Sequence, residues 1–179
     1  MLEITDSAVL MLSVLLFCDS ENLLPAFLAA AALHELGHIL ALLACGGHLR
    51  RLRVSALGGR MDCALPEGQG RCFLIHLAGA AMNFAAFALF RPLGCPRLAG
   101  ANFVLFLFNL LPVCPLDGYT CLETISGKRS APARRLLSTG FAILLLLAGS
   151  YLFFTGNGVS LAAAGAFLTV FSRKNLQKY

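Results

Sequence analysis

Tryptophan is absent from this 179-residue sequence, tyrosine occurs three times, and only 13% of the residues are charged, about half the share of an ordinary soluble domain. So small a charged fraction argues against a water-soluble domain. No linker, low-complexity tract or internal repeat divides the chain. The seven cysteines contain no C-x-x-C pair and mostly lie in or beside apolar segments, so they read as small buried hydrophobes rather than as disulfides or metal ligands. The opening MLEITD is acidic where a secretory signal would be basic, and no A-x-A-like site follows the first apolar run. A cleaved signal is therefore disfavoured.

What is present is apolar. Hydrophobic residues make up 58% of the chain and the mean hydropathy is +0.78, as expected for one membrane-embedded domain over 1–179. Uncharged runs delimit the spans. Between Asp6 and Asp19 lie only 12 uncharged residues, short for a bilayer core about 30 Å thick, so 7–18 is a doubtful span. A full span over 24–45 carries Glu35 as its single formal charge, with Pro25 where a first helical turn tolerates it. Two runs of 19 uncharged residues each give spans at 72–90 and 98–111. The run 136–172 is 37 residues long, and Gly156-Asn157-Gly158 splits it into two helices. The expected fold is an all-α integral membrane protein, a polytopic bundle of five to six transmembrane helices. After the second lies a membrane-associated β-hairpin over 49–65, around Gly58-Gly59.

The net charge of +5 reports topology rather than nucleic-acid binding. If six spans alternate, 12 of the 14 basic residues fall on one side, leaving only Arg91 and Arg97 on the other. That bias places the 46–71 and 112–135 loops and the C-terminus in the cytoplasm.

The second span, 24–45, contains chemistry. His34-Glu35-Leu36-Gly37-His38 is an H-E-x-x-H pattern: on a helix both imidazoles share a face and can reach one Zn²⁺, and the intervening Glu lies close enough to act on a water there. Ionisable residues at bilayer depth are costly and usually functional, which disfavours a bland packing role. A catalytic zinc commonly takes three protein ligands, and the best third candidate is Asp117. It follows two prolines in Asn109-Leu110-Leu111-Pro112-Val113-Cys114-Pro115-Leu116-Asp117-Gly118, where Gly118 permits an unusual backbone turn. The competing role for Asp117 is an N-cap of the segment 118–126. Gly79-Ala80-Ala81-Met82-Asn83 enters from the same side, with Gly79 suited to close helix approach and Asn83 turned toward the site.

These three elements, in this order, resemble the site-2 proteases, a family of intramembrane zinc metalloproteases. The resemblance covers nearly the whole chain. It implies that His34, His38 and Asp117 hold zinc, that Glu35 is the general base, and that Asn83 and Asn109 arrange substrate near the catalytic water. The compact size resembles the sporulation-type branch that processes a pro-sigma factor. Members of that branch often carry a C-terminal CBS domain, whereas this sequence ends at Tyr179 without one. The expected activity is hydrolysis of a peptide bond in or near a membrane segment of a substrate protein. The expected partners are the lipid bilayer, that substrate and a regulatory membrane protein. The alternatives are an inactive protease-like scaffold and a metal-ion transporter.

Overall fold

A computed structural model describes residues 2–6, 12–13, 16–17, 19, 21–55 and 58–155. The doubtful span 7–18, the Gly156–Gly158 turn and the final expected helix lie largely or wholly outside them. The described elements run β1 (Leu2–Ile4), α1 (Leu24–Ala44), β2 (His48–Ser55), β3 (Gly58–Ala64), α2 (Gln69–Phe90), α3 (Pro96–Asn109), α4 (Asp117–Ser126), a short 3-10 turn (Lys128–Ser130) and α5 (Ala131–Phe154). They fall into two compact units, Met1–Leu107 and Phe108–Tyr179.

In the first unit, the Asp19 carboxylate accepts the Leu23 and Leu24 N–H groups at 2.8 and 2.9 Å, and Pro25 sits in the first turn of α1. The helix buries Ala30, His34, Gly37, His38 and Leu42, a stripe at helical spacing in which all but Leu42 are small or polar. Leu28, Leu36, Leu40 and Leu43 are exposed instead. α2 repeats the pattern, burying Ile75, Gly79, Ala80, Asn83 and Ala86 and exposing Leu74, Phe84 and Leu89. Small residues inside and large apolar ones outside are what helices packing in lipid require, because lipid is as apolar as leucine and close backbone approach supplies the association. A Cβ on Gly37 would meet the Ala78 carbonyl oxygen and Met82 Cβ at 2.6 and 2.7 Å, so glycine sets how closely α1 and α2 approach. On the α2–α3 contact, Phe87 lies 4.8 Å from Phe103 and Phe84 lies 5.1 Å from Phe106, ring centre to ring centre.

The hairpin is present with two differences from expectation. β2 and β3 pair antiparallel from His48↔Ala64 to Ser55↔Gly58, so Gly58 and Gly59 open β3 rather than forming the turn. The register shifts between Leu49 and Arg51, leaving Arg50 as a bulge residue. The other side of β2 pairs with β1 in parallel, Leu2↔Leu52 to Ile4↔Val54, making a three-stranded sheet with β2 central. A three-residue strand carries too little alternation to be visible in sequence.

In the second unit, Val113 and Ala142 are fully buried, with Phe108, Leu111, Leu116, Phe141 and Leu145 packed on them. The segment between α3 and α4 is thereby anchored to α5 although it has no helix of its own. Ser138 Oγ accepts the Cys114 N–H at 2.9 Å.

Three described helices are long and apolar enough to cross a membrane: Leu24–Ala44, Gln69–Phe90 and Ala131–Tyr151. α3 has 14 residues, about 21 Å at 1.5 Å per residue, the same length as the expected span 98–111 but begun two residues earlier. α5 begins before the uncharged run, taking in Arg134 and Arg135. It tolerates Arg134 because the two terminal nitrogens of that side chain, 7% exposed, donate to Ser126 Oγ at 2.8 Å, the Gly127 carbonyl at 2.5 Å and Glu123 Oε1 at 3.4 Å, although Nε is buried without a partner among the described residues. The described architecture is a membrane helical bundle with a small sheet.

Candidate functional site

His34 and His38, one turn apart on α1, are 8% and 6% exposed. Their rings meet edge to face with centres 4.7 Å apart, and their Nε2 atoms are separated by 3.2 Å. What fixes them is the other nitrogen of each ring. His38 Nδ1 lies 2.7 Å from the Ile75 carbonyl oxygen, and His34 Nδ1 lies 2.7 Å from Asn83 Oδ1. Carbonyl and amide oxygens only accept, so each Nδ1 carries the hydrogen, and in the neutral ring each Nε2 presents a lone pair. Two lone pairs at that separation repel unless they share a proton or a cation. Neutral imidazoles donating Nδ1–H to oxygen and offering Nε2 are the form in which histidine binds zinc, so the donor set fits a divalent metal.

Gly79 makes the arrangement possible. A Cβ there would fall on His38 Nε2 and on the Cε1 atoms of both rings, so even alanine would displace the imidazoles. Glycine is thus required by the site itself as well as by helix packing.

Asn83 is fully buried. Its Oδ1 faces His34, and its Nδ2 donates to the Ala30 carbonyl at 2.9 Å and to Asn102 Oδ1 at 2.8 Å. With both amide hydrogens engaged, the partners of Asn83 here are His34 and two oxygens of neighbouring helices. Asn102, also fully buried, donates its own Nδ2 to the Leu98 carbonyl at 2.8 Å. Asn102 had no place in the sequence motifs. The signal that finds it is the one that found Asn83, an amide inside an apolar span.

Glu35 is half-buried on α1 between the two histidines. Asn109 is the last residue of α3, and Asp117 the first of α4; both are half-buried and belong to the second unit. The N-cap of α4 is Leu116, without a side-chain cap, so the capping role weighed for Asp117 is not the one it fills. As the acidic residue of the first turn, it is favoured by the partial positive charge of a helix start. Gly118 serves by size rather than by an unusual turn: a Cβ there would collide with the Leu110 and Leu111 carbonyls. Burial, then the Asp117 carboxylate, pushes the Cys121 thiol up to about 11. The Cys114 thiol is raised by burial and then by Glu123, so both stay neutral at physiological pH, in keeping with inert small hydrophobes.

No protein-family model matches the chain, and no curated protein matches it either. Among solved structures, its fold is similar to that of a site-2 protease from Methanocaldococcus jannaschii, with a TM-score of 0.69 and 20% identity across 97% of this chain and 89% of that one. The two chains share a fold.

Proposed function

We propose that this chain is an intramembrane zinc metalloprotease, hydrolysing a peptide bond in or near a transmembrane or membrane-associated segment of a substrate protein. The observation that carries the reading is the pair of buried imidazoles on an apolar, membrane-length helix, each donating Nδ1–H to an oxygen and turning its Nε2 toward the other. In this reading His34, His38 and Asp117 hold the zinc, which when bound polarises the scissile carbonyl and lowers the pKa of water.

The protein's own groups do the rest. Glu35 accepts a proton from the attacking water and delivers it to the leaving amine. Asn109 donates to the substrate backbone or the developing oxyanion, and Asn83 acts on substrate through the orientation of His34. A helical substrate segment has its peptide bonds internally paired, so it must unwind. Because β2 is flanked on both sides, the strand edges open to it among the described residues are the outer edges of β1 and β3, and β3 is the longer of the two. The basic bias of the loops orients the site toward the cytoplasm, from which water enters, and a regulatory membrane partner would govern access.

The test is cleavage by the purified chain of a panel of membrane-associated substrates, a pro-sigma-type protein among them, beside Glu35→Gln. We expect about one zinc per chain in both forms and cleavage reduced by about 10³-fold or more in the variant. Cleavage retained in Glu35→Gln would overturn the general-base role. Zinc flux into sealed vesicles without any cleavage would replace the protease by a transporter.

A further inference from the structure

We infer that Asn102 is a positioning residue for His34. It sets the direction of a relay, Asn102 to Asn83 to His34, that keeps the hydrogen on His34 Nδ1 and leaves Nε2 to the cation. The inference rests on the metal reading above.

The direction follows from groups that cannot reverse. The Leu98 carbonyl only accepts, so the Asn102 amide turns its Nδ2 there, 2.8 Å away, and its Oδ1 toward Asn83. Asn83 then has two acceptors on one side, Asn102 Oδ1 at 2.8 Å and the Ala30 carbonyl at 2.9 Å. Its NH₂ must face them, and its Oδ1 faces His34 Nδ1 at 2.7 Å. A flipped Asn83 would oppose oxygen to oxygen twice and present N–H groups to His34. The ring hydrogen would then move to Nε2, the atom needed as ligand. Asn102 contributes one of the two oppositions that forbid the flip, in a dry environment where each is strong: Asn83 and Asn102 are both 0% exposed. The simpler role is polar glue between α2 and α3. Glue stabilises the helices but has no preference for the tautomer of His34.

The test uses the full chain in detergent, with zinc affinity measured by chelator competition for wild type, Asn102→Leu, Asn83→Ala and the double variant. Side-chain nitrogen NMR of the metal-free chain reports the tautomer of His34. Outer-shell partners of metal-binding histidines typically contribute about 10–100-fold in affinity; we expect about tenfold weakening in Asn102→Leu and no further loss when that change is added to Asn83→Ala. The metal-free wild type should show hydrogen at Nδ1 alone and Asn102→Leu a mixture. Losses that add, or wild-type affinity and tautomer in Asn102→Leu with only a lower melting temperature, would overturn the relay. If wild type bound no zinc, the metal reading would fail, and the relay would still be decided by the tautomer of His34. If Asn102→Leu does not fold, Asn102→Ser is read in the same way.

Discussion

The α1–α2 pair and the segment leading from Asn109 through α4 hold their site residues by different means. On the pair, two long helices present His34, His38 and Asn83 from regular backbone, and each polar atom is aimed by a hydrogen bond of 2.7–2.9 Å to a group on another helix. Around Asp117 the backbone is irregular. It is held by short-range turns, Val113 N–H to the Leu111 carbonyl at 2.8 Å and Leu116 N–H to the Val113 carbonyl at 2.7 Å, by the buried Val113 and by the α4–α5 clamp through Arg134. Regular helices fix direction through many weak constraints shared along their length. An irregular segment depends on a few specific ones, so its faults should be local and its losses separable.

The largest effect should come from Gly79→Ala. Its methyl group lands on both imidazoles, so zinc binding should fall below detection by metal analysis, with a destabilisation of about 1–3 kcal/mol typical of overpacking seen in thermal melts. Full zinc content would show that α1 and α2 can separate, breaking the contrast between rigid pair and irregular segment. Next, Asp117→Asn should weaken zinc by at least about 100-fold, more than the outer-shell range, while a melt in excess metal changes little. Unchanged affinity would remove Asp117 from the ligand set. Smaller still, Arg134→Met should lower stability by about 1–3 kcal/mol, because it strips the Gly127 carbonyl and Glu123 of a buried partner. Zinc affinity in the folded fraction should stay within a few-fold of wild type, and a fall as deep as that of Asp117→Asn would mean that the α4 clamp sets the carboxylate. Least of all, Glu3→Gln removes a partly exposed ion pair to Arg51 at 3.3 Å and should cost no more than about 1 kcal/mol in a melt.

The helices were legible because charge is excluded from lipid-facing stretches, and the histidine pair because an i, i+4 spacing survives any detail of packing. Boundaries drawn at charges failed where a charge is neutralised inside the fold. Arg134 lies within α5 because Glu123, Ser126 and Gly127 receive it, a tertiary fact with no local signature. Gly58-Gly59 looked like a turn and proved to be strand, because the pairing of Ser55 with Gly58 fixes the connection two residues earlier. β1 was invisible because its three residues gain their structure only from β2. Asn102 was missed because its meaning depends on Asn83, 19 residues away, and a single sequence does not pair them.

The two histidines of the candidate site differ in how mutation can reach them. His38 is oriented by the Ile75 carbonyl, an atom every amino acid supplies, so no single side-chain exchange at position 75 deletes its anchor. His34 is oriented by the side chain of Asn83, which a single codon change can remove. A saturation scan of this chain would therefore register the Nδ1 support of one imidazole and pass silently over that of the other.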